Sequence, residues 1–349
     1  MGKVRGKMLA LCGVLLVLGV LAALLATRGA RAVPPLPVAS CAESKPRSGL
    51  VVRWFGTSTL TISDGESTVM IDGFFSRPGM VRLGLSSLGM PLVRPDPEQL
   101  QLASRLLCGQ PVDAIFVAHA HHDHALDAAI IGREKDAVIH GSESVLNVVR
   151  GQDPQGHAKL VEVGDGSIVP IGKFQVSVLS SSHKDTFFGP DGAITRPLPT
   201  PARLRAFRSG PSFAFFVGHP QGNVLIVPSA VMDDQGPALK GLQADVVLLG
   251  IGMLGREPDT TKRRYWLSVV RATGATNVHL IHWDDFTRTL DKPLRPFPLD
   301  RVDRTVAYLS SIDRNVRVTY LPFAKPVAIV RRPHPLLPVD TGASARANP

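Results

Sequence analysis

Asp113-Ala-Ile-Phe-Val-Ala118, then His119-Ala-His121-His122-Asp123-His124, then Ala125-Leu-Asp-Ala-Ala-Ile-Ile131 form the stretch that decides how this chain is read. The first run is apolar, as in a buried strand, and the last has the composition of a helix start. Between them a short loop carries the pattern His-x-His-x-Asp-His. In an extended turn, residues 119 and 121 project to the same side, so two imidazoles can grip one ion. Asp123 and His124 then reach past it toward a second ion. A strand that ends in ligands and resumes as a helix makes a mechanically sound metal site. The plain alternative is a histidine-rich solvated loop.

Upstream, Val51-Val-Arg-Trp-Phe-Gly56, Thr59–Ser63 and Thr68–Asp72, with a turn at Asp64-Gly65-Glu66, read as a β-meander. Residues 74–111 carry scattered Gly and Pro and one helix around Pro97–Leu107, and read as an insertion. Downstream, strand-like and helix-like segments alternate. Ala137–Ile139 leads to a helix over Ser142–Arg150 that Ser142 is placed to cap. Strand Phe174–Leu179 and a Pro- and Gly-rich loop over 184–211 come next. A hairpin then pairs Ser212–Gly218 with Asn223–Pro228. After it come strand Ala244–Gly250, a helix over Thr260–Ala272 and strand Asn277–Ile281. A helix over Leu299–Ser311 and strands Val316–Leu321 and Val327–Val330 finish the domain. Two β-rich halves, each with helices, predict an α/β four-layer sandwich with helices outside two packed sheets.

Of the 349 residues, 44% are hydrophobic and 19% charged, which excludes a disordered chain and a multi-span membrane protein. Lys3, Arg5 and Lys7 precede the apolar run Met8–Ala26, and Ala30-Arg-Ala32 follows it. That order describes residues 1–32 as an export signal or, at near-spanning length, an N-terminal membrane anchor. Residues 33–47 read as a Pro-rich linker, 48–332 as the folded domain, and 333–349 as a disordered tail. The expected location is periplasmic or extracellular, with a membrane tether through residues 8–26 if the leader stays. The leader holds five basic residues and no acid, leaving 34 basic against 29 acidic residues, an excess of +5 without a long basic run. Nucleic acid is therefore not an expected partner, and a small-molecule substrate is. Cys41 and Cys108 either pair in an oxidising compartment or remain thiols.

The His119–His124 loop at a strand end resembles the metallo-β-lactamase superfamily of metallo-hydrolases. The resemblance extends over roughly residues 50–330, with Trp54-Phe-Gly-Thr-Ser-Thr59 and Ile71-Asp72-Gly73 similar to that family's first hairpin. Two further strand ends, Val178-Leu-Ser-Ser-Ser-His183 and Val278-His-Leu-Ile-His282, supply its remaining histidines. The resemblance implies that His119, His121 and His183 hold one ion while Asp123, His124 and His282 hold the other. Nitrogen and oxygen donors of this borderline type favour zinc, two ions or one, with iron and manganese as alternatives. The implied reaction is hydrolysis of an ester, lactone, amide or phosphodiester by a metal-bound hydroxide that Asp123 orients. β-Lactams are one candidate substrate class, and a non-catalytic metal-binding envelope protein is the alternative to an enzyme.

One departure stands out. Many family members bridge their ions with an Asp at the end of the hairpin strand before the last His, a strand that here reads Val224-Leu-Ile-Val-Pro-Ser-Ala-Val231 and places Ser229 or Ala230 at that point. Ser229 is thus expected beside the ligands, with Asp233 and Asp234, a few residues downstream, as the acids nearest in sequence that could stand in for the bridge. Asp72 and Asp284, at strand ends, are each expected either to accept a ring N–H from a ligating histidine or to serve as turn acids. His122 faces out or packs next to the ligands. Arg77 is expected to hold a substrate anion or to form a structural ion pair.

Overall fold

The computed structural model describes residues 49–183, 189–230, 239 and 241–331. The expectations for residues 1–32, 33–47 and 333–349, and for Cys41, Asp233 and Asp234, lie outside these residues. Among the described residues, no helix is long and apolar enough to cross a membrane.

Among the described residues, fourteen strands divide into two mixed sheets, as the element pattern predicts. The first holds β1 (Val51–Trp54), β2 (Leu60–Ser63), β3 (Thr68–Ile71), β4 (Ala114–Phe116), β5 (Val138–Gly141) and β6 (Lys159–Glu162), closed at its other edge by β14 (Pro326–Ala328). Its order is β14-β1-β2-β3-β4-β5-β6; β14 through β3 run antiparallel, and β3 through β6 parallel. The second holds β7 (Ile168–Ile171), β8 (Phe174–Ser181), β9 (Ser212–Gly218), β10 (Val224–Val227), β11 (Val246–Gly250), β12 (Asn277–Ile281) and β13 (Arg317–Tyr320). It is antiparallel from β7 to β10 and parallel from β10 to β13. Phe116 of β4 meets Phe215 of β9 edge to face at 5.7 Å, inside one continuous apolar core. The central strands β4, β10 and β11 are buried on both faces, which is why they read as unbroken apolar runs.

Among the described residues, seven α-helices accompany the sheets: α1 (Met80–Ser87), α2 (Pro97–Leu107), α3 (His122–Ala125), α4 (Ala128–Lys135), α5 (Glu143–Gln152), α6 (Asp259–Trp266) and α7 (Val302–Ile312). Helix α2 starts where Asp96 accepts from the amides of Glu98 and Gln99 ahead of Pro97, and ends at left-handed Cys108. Cys108 is disulfide-bonded. Helix α6 continues as a π-helical turn over Leu267–Arg271, so the expected helix over 260–272 is present in two geometries.

Three expectations need correction. The 74–111 segment holds two helices rather than one. Helix α1 buries only Leu83 and Ser86, so no inward apolar stripe announces it. Strands β6 and β7 went unread because they are short and largely exposed. Ser142 does occupy the cap position of α5, but its hydroxyl makes no capping hydrogen bond.

His279 on β12 contacts the Thr319 hydroxyl on β13 at 2.8 Å. Burial, with Arg317 second, pushes its imidazole down to about 4 from 6.5. The folded state thus binds this proton less readily than the unfolded chain, so the stabilising contribution is complete above about pH 6.5 and lost as pH falls toward 4. Allowing for partial exposure, H279Q is expected to flatten the urea-midpoint profile between those pH values by on the order of 1–2 kcal/mol.

Candidate metal centre

The site lies where strands of both sheets end. β3 runs into Asp72, β4 into the 119–124 loop, β8 into His183, β10 into Ser229 and β12 into His282. Residue 121 caps the single turn α3, which brings Asp123 and His124 round onto the far side of the loop. Two triplets of donor atoms result: one from His119, His121 and His183, the other from Asp123, His124 and His282, all within 4.8 Å of one another in each triplet. The rings of His119 and His124, one from each triplet, are 4.0 Å apart.

Hydrogen bonds fix which nitrogen faces inward. His121 Nε2 donates to the Pro190 carbonyl at 3.3 Å, leaving Nδ1 to face His119 Nε2 at 2.8 Å. A Cβ at Gly189 would lie 2.5 Å from the His121 ring, so only glycine lets this segment close over it. His124 Nδ1 donates to Asp72 Oδ2 at 2.7 Å, and His124 Nε2 is turned toward Asp123 Oδ2 at 3.8 Å. His282 Nε2 sits 3.4 Å from the same oxygen. Asp72 is itself held by the Ser58 hydroxyl at 2.5 Å and the Ala118 amide at 2.8 Å. Of the two readings of Asp72, it is the histidine acceptor that the geometry shows. Ser229 Oγ lies 3.4 Å from His124 Nε2.

Burial, reinforced by the neighbouring imidazoles, holds His119 well below its usual pKa and pushes His121 down to about 3. Burial pushes the Asp123 carboxyl up, but His124, His282 and His122 together pull it well below the carboxylate range. Neutral His119 and His121 and an ionised Asp123 are in the protonation states that ligation requires. For His124, burial is outweighed by Asp72 and Asp123, which raise its pKa, so ligation there must displace a more tightly held proton. His119 Nδ1 is buried without a hydrogen-bond partner. Buried imidazoles packed this tightly, with lone pairs turned toward common points, fit a borderline divalent cation in each triplet.

Other residues fall differently. His122 does not face out: it is buried among Phe74, Phe207 and Phe286 at ring distances of 6.0, 6.3 and 6.0 Å, with neither nitrogen hydrogen-bonded. Arg77 is a correction to the substrate-anion expectation. Its guanidinium is fully buried and pairs with Asp284 at 2.7 Å. Asp284 likewise does not orient a ligand histidine; its second oxygen accepts the Thr57 amide at 2.7 Å. The carbonyl of Thr57 accepts the His282 amide at 2.7 Å, and its hydroxyl accepts from Arg77 at 3.3 Å. Arg77, Asp284 and Thr57 therefore form a brace that ties the first hairpin to the last ligand strand.

Ser58 and Thr57 were missed as site residues, although both stand in the quoted Trp54–Thr59 stretch. The local signal was Gly56, whose φ of +95° no other residue adopts comfortably. A Cβ there would meet Arg77 Nη2 at 1.9 Å. Replacing Gly56 with alanine is expected to cost roughly 2–4 kcal/mol of stability, read by thermal unfolding.

The sequence model of the metallo-beta-lactamase superfamily matches residues 52–216. No curated protein matches the chain. Among solved structures, the metallo-beta-lactamase fold protein YhfI from Bacillus subtilis is similar over 80% of this chain and 99% of its own, with a TM-score of 0.50 at 12% identity. Igni18, a metallo hydrolase from Ignicoccus hospitalis, is similar over 80% of this chain and 97% of its own, with a TM-score of 0.47 at 14% identity. CmlA, a diiron β-hydroxylase from Streptomyces venezuelae, gives 0.48 at 14% identity over 81% of this chain and 55% of its own. Identities this low speak for fold alone. Residues 52–216 thus match the metallo-β-lactamase superfamily, and the two mixed sheets have that superfamily's fold.

Proposed function

We propose that the chain is an exported, zinc-dependent hydrolase of a small ester, lactone, amide or phosphodiester, with His119, His121 and His183 on one ion and Asp123, His124 and His282 on the other. The observation that carries this reading is the pair of donor triplets, each within 4.8 Å, built on the ends of two sheets. Nitrogen and carboxylate donors without thiolate support zinc, and three protein donors per ion leave coordination open for chemistry. When bound, such ions supply Lewis acidity and lower the pKa of water from 15.7 toward about 7.

The chain's own residues do the rest. Asp72 accepts the hydrogen bond of the His124 Nδ1–H and so leaves the Nε2 lone pair to face a metal. Thr57 holds the His282 backbone at the angle that turns its ring to Asp123. Asp123 stays ionised and aims one oxygen between two imidazoles, where it can also orient a hydrogen-bond donor arriving at the site. Ser229 stands beside His124 where many relatives have a bridging carboxylate, which favours a second ion held more loosely than the first.

The test combines metal analysis of the purified protein with a substrate panel of nitrocefin, a lactone, a thioester and a bis-nitrophenyl phosphodiester. One or two zinc ions per chain and chelator-sensitive turnover on one arm are expected. Turnover surviving complete metal removal would refute the hydrolase reading. Bound zinc with no turnover on any arm would instead mark a non-catalytic metal-binding protein of the envelope.

A further inference from the structure

Helix α1 inverts the usual arrangement of a surface helix. Leu83 and Ser86 point to the core, while Val81, Leu85 and Leu88, spaced i, i+4 and i+7, face water. Val81 is 76% exposed and Leu88 81%, and Met80 and Met90 are exposed beside them. On an outward helix face these positions are ordinarily polar, and a contiguous exposed apolar patch marks an interaction surface.

The rim of this patch is basic. Helix α1 is bonded to the 202–206 segment: the Leu204 amide donates to Ser86 Oγ at 2.8 Å, and Val93 and Ala202 exchange both backbone hydrogen bonds at 2.9 Å. That places the exposed arginines Arg94, Arg203 and Arg205 around the apolar face, with Arg82 half-buried on the helix. No Asp or Glu occurs between Asp72 and Asp96, or between Asp191 and Asp233. An apolar stripe on segments that also carry exposed arginines in excess of acids is complementary to a surface that is oily inside and anionic outside.

We propose that this face docks on an anionic phospholipid bilayer, with Val81, Leu85 and Leu88 at the acyl boundary and Arg94, Arg203 and Arg205 on headgroup phosphates. A second copy of the chain is the weaker fit, because the same arginines would face each other across a two-fold interface. Where the apolar run Met8–Ala26 stays as an anchor, it holds the chain at a membrane. The 22 residues from Thr27 to Ser48, which reach at most roughly 70 Å, then leave the domain within contact of that surface. The inference does not depend on the metal chemistry.

The three native tryptophans, Trp54, Trp266 and Trp283, are buried, so a tryptophan introduced by L88W is the one that lipid can quench. The experiment incubates full-length L88W protein with vesicles of brominated phosphatidylcholine, with and without phosphatidylglycerol. Strong quenching with phosphatidylglycerol is expected. Adding R94E/R203E/R205E should lower the docked-to-free ratio by roughly a hundredfold, and V81S/L85S should weaken docking while leaving the charge unchanged. These sites are exposed, so unchanged circular dichroism should accompany both. Three results would overturn the proposal: no quenching with phosphatidylglycerol, quenching that survives arginine reversal, or burial of the introduced indole through lipid-free self-association.

Discussion

H121A protein is expected to lose one ion and all metal-dependent turnover, while its metal-free form melts no lower than metal-free wild type by more than about 1 kcal/mol. The reason is the environment of the ring. His121 sits 2.8 Å from His119 and close to His183, with burial opposing charge on both His119 and His121. In the absence of a cation these imidazoles have little to gain from one another, so removing one costs the fold little. For a side chain buried purely for packing, the pattern would be reversed, with stability lost and metal content kept. Asp72→Ala grades the same experiment. It leaves every proposed ligand in place but frees the His124 ring, and should weaken metal binding roughly 10–100-fold. Elemental analysis after dialysis, paired with calorimetric melting of the stripped proteins, reads both outcomes.

The second large effect is expected away from the ligands. R77M should destabilise the protein by about 3–5 kcal/mol, because it leaves the Asp284 carboxylate buried without its cation. The double variant R77M/D284N should recover most of that loss, since an amide oxygen can still accept the Thr57 amide. Urea unfolding of the four members of the cycle measures it. Arg77 also holds Thr57, whose carbonyl fixes the backbone of His282. Metal in the Asp123–His124–His282 triplet should therefore weaken in R77M more than metal in the other triplet.

The 119–124 cluster was legible because metal chemistry restricts residue types and an apolar run leads into it, whereas His183 and His282, isolated in the sequence, join it only through the family resemblance. His119, His183 and His282 could be placed at strand ends from hydrophobicity alone. Arg77 and Asp284 were ambiguous for a physical reason: a buried ion pair and a site exposed to substrate use the same residues, and only packing separates them. His122 shows the same limit, since nothing local says whether a histidine between ligands meets water or three aromatic rings. Helix α1 was invisible because its apolar residues point away from the core. Strands β6 and β7 lack the buried alternation by which strands are recognised, and hold their places through edge pairing.

The way the chain shares out its strands makes both triplets depend on the second sheet. The first sheet is closed only by β14, from the end of the domain, and the first triplet borrows His183 from the second sheet. Because β8, which leads into His183, is held by β9 and the strands beyond it, neither triplet has its frame until most of the second sheet is in place. Truncation before β12 would remove a donor from the Asp123–His124–His282 triplet alone, while leaving the other's three residues in the chain.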